Sequence, residues 1–282
     1  MKHTDQFLMA GVIGFPIMHS RSPMMHNYWL EKNNLVGRYL PLAVKPENLE
    51  GAIRGLRPLG FSGCNVTIPH KQACMPFLDE LSPAALAMGA VSCIHAREDG
   101  SLFGTNNDAF GFIRNLKASN PHWRADAGPI TVIGAGGGSR AVCYGLIQEG
   151  AKEIRLVNRS VEKAQALASS LGPQIKVLPW SELNQSLSGI KTLVNTTSLG
   201  MVGQPALEID LHDLDRDALV TDIIYIPLET ELIKAAKARG NVVTNGLGML
   251  LHQGPLAWKL WFGIEPEVTQ ELRELLEKSI VS

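Results

Sequence analysis

Four short polar clusters hold the side chains best suited to chemistry, and each follows an apolar run that reads as a strand, where open α/β sheets place their ligands. In "GFPIMHSRSP", Ser20 and Ser22 point the same way on an extended strand-to-helix link, with Pro23 suited to the first helical position. Two hydroxyls beside free backbone N–H groups suit a carboxylate; the competing reading is that Ser22 simply caps the helix. In "NVTIPHK", Asn65, Thr67 and Lys71 set an amide, a hydroxyl and an amine at a strand tip, with Pro69 fixing the turn, although a lone lysine usually faces solvent. "GTNNDAFGF" crowds Asn106, Asn107 and Asp108 between glycine and aromatic residues, with a turn or helix cap as the alternative. "DIIYIPLET" and "NGLGMLLHQ" put Tyr225 after a strand and Gln253 on an apolar helix, where its amide wants a polar partner. Hydroxyl and amide donors around one lysine and one aspartate describe a pocket for a polyhydroxylated acid.

A fifth feature, "ITVIGAGGGSRAV", joins a short β-branched run to a glycine turn and then to helical spacing. Gly134, Gly136 and Gly137 permit close backbone approach, and N–H groups at the helix start would face an anion. Ser139 replaces the third glycine of the dinucleotide fingerprint, so a plain glycine-rich turn stays open as a reading. The next strand ends in "IRLVNRS", about 20 residues on, where an acid would read the ribose hydroxyl of NAD. No carboxylate stands at that tip; Arg159, with Lys163 one helical turn further, suits a 2′-phosphate instead. NADP is therefore expected over NAD, against the alternative that both cations merely solvate a helix start.

These residues need a frame, and the chain of 282 residues is long enough for two ordinary domains. Net charge is −1 with cations dispersed, which argues against nucleic acid and membrane surfaces as partners. The N-terminal apolar run is too short for a secretion signal, no stretch approaches the ~20 apolar residues of a membrane span, and a cytoplasmic location is expected. Cys64, Cys74, Cys93 and Cys143 lack metal or redox spacing and read as reduced apolar residues, so no metal is expected. Strand-like runs alternate with helical ones throughout, which is α/β organisation. "KASNPHWRADAGP" reads as a surface connection before the glycine strand, and "GLGMLLHQGPLAWKLWFG" as an apolar helix that must pack on something large. Two α/β domains with a cleft between them, one holding cofactor and the other substrate, are expected.

Taken in order, G14-F-P-I-M-H-S-R-S-P, N65-V-T-I-P-H-K, N106-N-D, G134-A-G-G-G-S-R, N158-R-S, N195-T-T-S-L-G-M and G248-M-L-L-H-Q resemble the signature of the shikimate dehydrogenase family over nearly the whole chain. The resemblance implies an N-terminal α/β substrate-binding domain (1–108 plus 246–282) and a Rossmann-type NADP-binding domain (109–245), with C-terminal helices returning to the first. It implies NADP-linked interconversion of 3-dehydroshikimate and shikimate, with Lys71 and Asp108 as the catalytic pair. Ser20 and Ser22 would bind the carboxylate, and Asn65, Thr67, Asn106, Tyr225 and Gln253 would line the substrate pocket. Gly134, Ala135, Gly136, Gly137, Gly138, Ser139, Arg140, Asn158, Arg159, Ser160, Lys163 and Thr196 match cofactor positions, with Gly246 near the nicotinamide. Two positions depart from the family pattern. G-A-V-N-T becomes Gly89-Ala90-Val91-Ser92-Cys93, shortening a ring-hydroxyl ligand, and N-T-D-G becomes Asn106-Asn107-Asp108-Ala109. Asn107 is expected to compensate for the amide lost at Ser92, and quinate or aminoshikimate joins shikimate as a candidate substrate. A non-catalytic NADP- and shikimate-sensing protein and a polyol dehydrogenase are the rival readings; monomer and homodimer both stay open.

Overall fold

The computed structural model describes residues 7–281. The chain forms two compact units, one from its N-terminal part through Asn107 together with Gln253–Ser279, the other spanning Asp108–His252.

The first unit is built on β1 (Leu8–Gly14), α1 (Ser22–Lys32), β2 (Gly37–Ala43), α2 (Leu49–Gly55), β3 (Gly63–Val66), β4 (Glu80–Leu81), α3 (Pro83–Met88), β5 (Cys93–Ala96) and β6 (Leu102–Thr105). Its six-stranded sheet has the order β2-β1-β3-β5-β6-β4. β1 lies between two parallel neighbours, which is why "LMAGVIG" is apolar on both faces. β5 runs antiparallel to β3 and to β6, so this sheet is mixed. The register aligns Val12 with Asn65, Asn65 with Cys93, and Cys93 with Thr105. The ends of β1, β3 and β6 and the start of β5 therefore share one edge. Leu49, Ile53, Phe61, Val66 and Ile94 belong to the buried cluster on one side of this sheet.

The second unit begins with α4 (Asp108–Ser119) and continues through β7 (Ile130–Ile133), α5 (Gly137–Gln148), β8 (Ile154–Asn158), α6 (Val161–Leu171), β9 (Ile175–Pro179), β10 (Thr192–Asn195), β11 (Leu219–Asp222), α7 (Glu231–Ala238) and β12 (Val243–Thr244). All its strand pairings are parallel, in the order β12-β11-β10-β7-β8-β9. This is the doubly wound dinucleotide-binding order, with its switch point between β7 and β10. The segment 117–129, expected to be a surface connection, is mostly exposed and is anchored at two residues. Trp123 and Ala125 are buried in the core beside β7, and the Trp123 indole donates to Thr192 Oγ1 at 3.0 Å. One large ring outweighs the polar composition around it.

The last helices are α8 (Leu247–Phe262), which runs through Pro255, and α9 (Gln270–Val281). From Gln253 to Ser279 they pack within the first unit. Trp258 Nε1 donates to His26 Nδ1 at 2.7 Å, Trp261 Nε1 to the Ile94 carbonyl at 2.9 Å, and Trp29 Nε1 to the Glu267 carbonyl at 2.9 Å. A Cβ on Gly254 would lie 2.6 Å from the Trp29 ring, so only glycine lets α8 approach this closely. Among the described residues no helix is long and apolar enough to cross a membrane.

Candidate active site

In the first unit, the polar clusters lie along the shared edge of the mixed sheet and are linked to one another. α1 starts at Ser22, carries Pro23 in its first turn and has no side-chain N-cap, which removes capping as the role of Ser22. Ser20 Oγ instead accepts from the Ser22 N–H at 3.3 Å. The buried Ser22 hydroxyl reaches the phenol of Tyr39, which in turn donates to Asn65 Oδ1 at 2.8 Å. Burial drives the Tyr39 phenol well above its ordinary pKa, so it stays a neutral donor. Asn65 Nδ2 donates to the Ser92 carbonyl at 3.1 Å, and Ser92 Oγ accepts the backbone N–H of Asn107 at 2.9 Å. One relay thus runs from the start of α1 across β2, β3 and β5 to the end of β6.

Thr67 is held by its N–H to the Ile13 carbonyl at 2.9 Å, beside Gly14, where a Cβ would stand 2.6 Å from the Thr67 methyl. The Lys71 carbonyl accepts the Val91 N–H at 2.8 Å, tying the lysine's turn to the Ser92 segment, while Asn106 Nδ2 donates to the Ala90 carbonyl at 2.9 Å. Asn107 is buried, and its Nδ2 finds no acceptor. An unpaired buried donor costs roughly 1–3 kcal/mol, which a ligand oxygen would recover. Gln253 opens the returning segment of this unit, whereas Asp108 starts α4 and Tyr225 follows β11, both in the second unit.

In the second unit the expected cofactor residues lie at or beyond the carboxyl ends of strands. Gly134 adopts φ +108° and lies against Thr196, whose Oγ1 a Cβ would meet at 2.7 Å. Thr196 itself donates to the Ile133 carbonyl at 2.6 Å. α5 has Gly136 as its N-cap and no side-chain cap, and a Cβ built on Gly136 or Gly137 would meet nothing within 4 Å. Bare backbone N–H groups at a helix start, facing open space, fit the pyrophosphate of a dinucleotide. Ser139, in place of the third glycine, is fully buried. α6 is capped by Ser160, whose Oγ accepts the Lys163 N–H at 3.3 Å, while Asn158 Nδ2 donates to the Ser160 carbonyl at 2.8 Å. Arg159 and Lys163 are exposed at this tip, and the Arg140 guanidinium donates to Ser170 Oγ at 2.8 Å. Gly246 donates its N–H to the Ile224 carbonyl at 2.9 Å.

Several side chains that organise these segments escape sequence reasoning. Tyr39 reads only as a strand residue, yet it joins Ser22 to Asn65. Asp222 organises the loops of the second unit: its carboxylate accepts from Asn195 Nδ2 (3.0 Å), Thr230 Oγ1 (2.9 Å) and the Ile224 N–H (3.0 Å). Burial pushes its pKa up to about 6, against the pull of those three donors. Asn195 Oδ1 in turn accepts the Thr197 N–H at 3.0 Å. Asp222 and Asn195 thereby fix the turns that carry Tyr225 and Thr196. The four cysteines are free and buried, and desolvation raises each thiol's pKa, which suppresses thiolate chemistry.

A parallel sheet of this order, with an uncapped glycine turn at its switch point, defines the second unit as a dinucleotide-binding α/β domain of the Rossmann type. Three family models match the chain in sequence: the shikimate dehydrogenase substrate binding domain over residues 12–94, shikimate / quinate 5-dehydrogenase over 118–223, and the shikimate 5′-dehydrogenase C-terminal domain over 246–276. A shikimate dehydrogenase (NADP(+)) from Paramagnetospirillum magneticum is 51% identical over 265 residues, covering 94% of this chain and 96% of the relative. The chain belongs to the shikimate dehydrogenase family. Among solved structures, the Thermus thermophilus shikimate 5-dehydrogenase in complex with NADP(H) and shikimate superposes with a TM-score of 0.86 at 34% identity, covering 97% of this chain and 100% of that one. Quinate dehydrogenase from Corynebacterium glutamicum in complex with NAD gives 0.87 at 30% identity, covering 96% and 99%.

Proposed function

We propose that this chain is an NADP-dependent oxidoreductase interconverting 3-dehydroshikimate and shikimate at a ring secondary alcohol, the first unit holding the cyclic acid and the second the cofactor. The observation that carries the reading is the relay of Ser22, Tyr39, Asn65, Ser92 and Asn107 along one sheet edge, which holds a set of donors in fixed orientation. Ser20 and Ser22, beside the N–H groups at the start of α1, take the carboxylate. Asn65 gives one amide hydrogen to the Ser92 carbonyl and has a second for a ring hydroxyl. Thr67, Asn106 and Gln253 complete the first unit's share of substrate binding, and Tyr225 is a further substrate-binding residue. Gly134–Arg140, Asn158–Lys163, Thr196 and Gly246 bind the cofactor, with Arg159 and Lys163 taking the 2′-phosphate.

NADP, when bound, supplies the hydride acceptor. The protein's share is the proton. Lys71 accepts it from the substrate oxygen or, remaining charged, stabilises the negative charge that develops there, and Asp108 is the second catalytic residue.

Quinate or an amino-substituted relative is the second reading, and it rests on the altered ring ligands. Ser92 offers a hydroxyl that already accepts from Asn107, and the buried Asn107 carboxamide supplies the donor in its place. A kcat/KM comparison over shikimate, quinate and aminoshikimate, each with NADP and NAD, tests the assignment. NADP-linked turnover highest with shikimate is expected. A preference for another cyclic acid moves the assignment to that substrate, and turnover of none favours a sensor.

A further inference from the structure

Arg159 is the first residue beyond β8 and Trp180 the first beyond β9. The strands run parallel and adjacent, with Asn158 aligned to Pro179, so both residues leave the sheet at the same level of its carboxyl edge. The Trp180 ring is partly buried against the Leu183, Leu187 and Val157 cluster of this unit. On this ring the Arg159 guanidinium carbon lies 5.1 Å from the centroid. Among the described residues no carboxylate forms an ion pair with Arg159, and its side chain is exposed. An exposed arginine samples many rotamers and loses that freedom when it grips a phosphate. A cation–π contact of this kind restrains the guanidinium without consuming its N–H groups, which stay available for bidentate contact.

We propose that Trp180 is a positioning residue for cofactor selectivity, bracing Arg159 so that its guanidinium edge is presented ready-made to the 2′-phosphate of NADP. This rests on the assignment of Arg159 as the phosphate ligand. The anchored ring acts only through that arginine, so it favours NADP and is indifferent to NAD. Neither the glycine turn nor the substrate edge is involved.

The experiment compares Trp180→Met, which keeps apolar bulk, Trp180→Phe, which keeps an aromatic face, and Arg159→Leu. Each variant is checked for wild-type thermal unfolding, then kcat and KM are measured for NADP and NAD at saturating shikimate. Arg159→Leu should cut the NADP-over-NAD ratio of kcat/KM by more than about tenfold. Trp180→Met should cut it roughly 2–5-fold through the KM for NADP, with kcat and the KM for shikimate unchanged. Trp180→Phe should fall between Trp180→Met and wild type. A wild-type ratio in Trp180→Met beside a collapsed ratio in Arg159→Leu overturns the bracing role alone. Equal losses with both cofactors, or identical behaviour of the Met and Phe variants, overturn it as well. A wild-type ratio in Arg159→Leu overturns the arginine assignment itself.

Discussion

Side chains line the candidate edge of the first sheet, whereas the glycine turn of the second presents bare backbone. Along the first edge, Tyr39, Asn65, Ser92 and Asn107 hold one another in place, so almost any exchange there disturbs a neighbour. Along the second, Gly136 and Gly137 have no side chain and nothing stands where one would go. The difference follows from the ligands. A small ring with several hydroxyls and a carboxylate is told from its relatives by individually placed donors, while a pyrophosphate needs only N–H groups at a helix start.

The largest effect should come from the first edge. Lys71→Ala is expected to lower kcat by about 10²–10⁴-fold, with a much smaller change in the KM for the cyclic acid, because its contact is made mainly in the transition state. Steady-state kinetics decide this, and a large rise in KM with kcat preserved would make Lys71 a binding residue. Gly137→Val probes the other material. Its side chain should enter open space and leave stability within about 0.5 kcal/mol, while the KM for NADP rises by roughly tenfold or more. Thermal unfolding and NADP titration of the same preparation separate the two.

Asn107→Thr sharpens the contrast further. Removing a buried donor that lacks an acceptor should leave the unliganded protein as stable as wild type or more so, by up to the roughly 1–3 kcal/mol that such a group costs. Turnover of the preferred cyclic acid should fall nonetheless. Unchanged kinetics on every cyclic acid would end the compensation for Ser92.

Between pH 6 and pH 5 the two units should show stability slopes of opposite sign. His26 is buried and stacked on Tyr39 with ring centroids 4.1 Å apart, and burial lowers its pKa to about 3. The unfolded chain therefore binds the proton first, and the first unit loses stability as pH falls from about 6.5 towards 3, by about 1.4 kcal/mol per pH unit from this group. Asp222 behaves inversely. With its pKa raised to about 6, the second unit loses stability as pH rises from about 3.8 to 6. Urea unfolding at pH 6 and pH 5 should show the gap between wild type and His26→Gln narrowing on acidification, and the gap for Asp222→Asn shifting the other way.

The second sheet is legible in the sequence nearly strand by strand, because buried parallel strands are short apolar runs bounded by turn residues. The same rule misses much of the first. β5 and β6 carry His95 and polar flanks around "AREDGS", and their antiparallel pairing depends on partners distant in sequence. The candidate site is legible where polar residues crowd a strand tip, as at Asn106–Asp108. Tyr39, Asp222 and Trp180 stay hidden for a common reason. Each sits in a segment that reads as an ordinary strand or turn, and its role exists only through a neighbour brought close by folding. Trp123 is hidden in the same way, by a polar loop that one ring anchors.

The division of labour between side chain and backbone is most directly tested by an amide NMR titration of the full chain with shikimate alone and NADP alone. Shikimate should shift the side-chain amides of Asn65 and Asn107 and leave the backbone of residues 136–139 in place, whereas NADP should shift the backbone amides of Gly136, Gly137 and Ser139. The reverse pattern, or a cyclic acid that perturbs neither asparagine, would contradict the account.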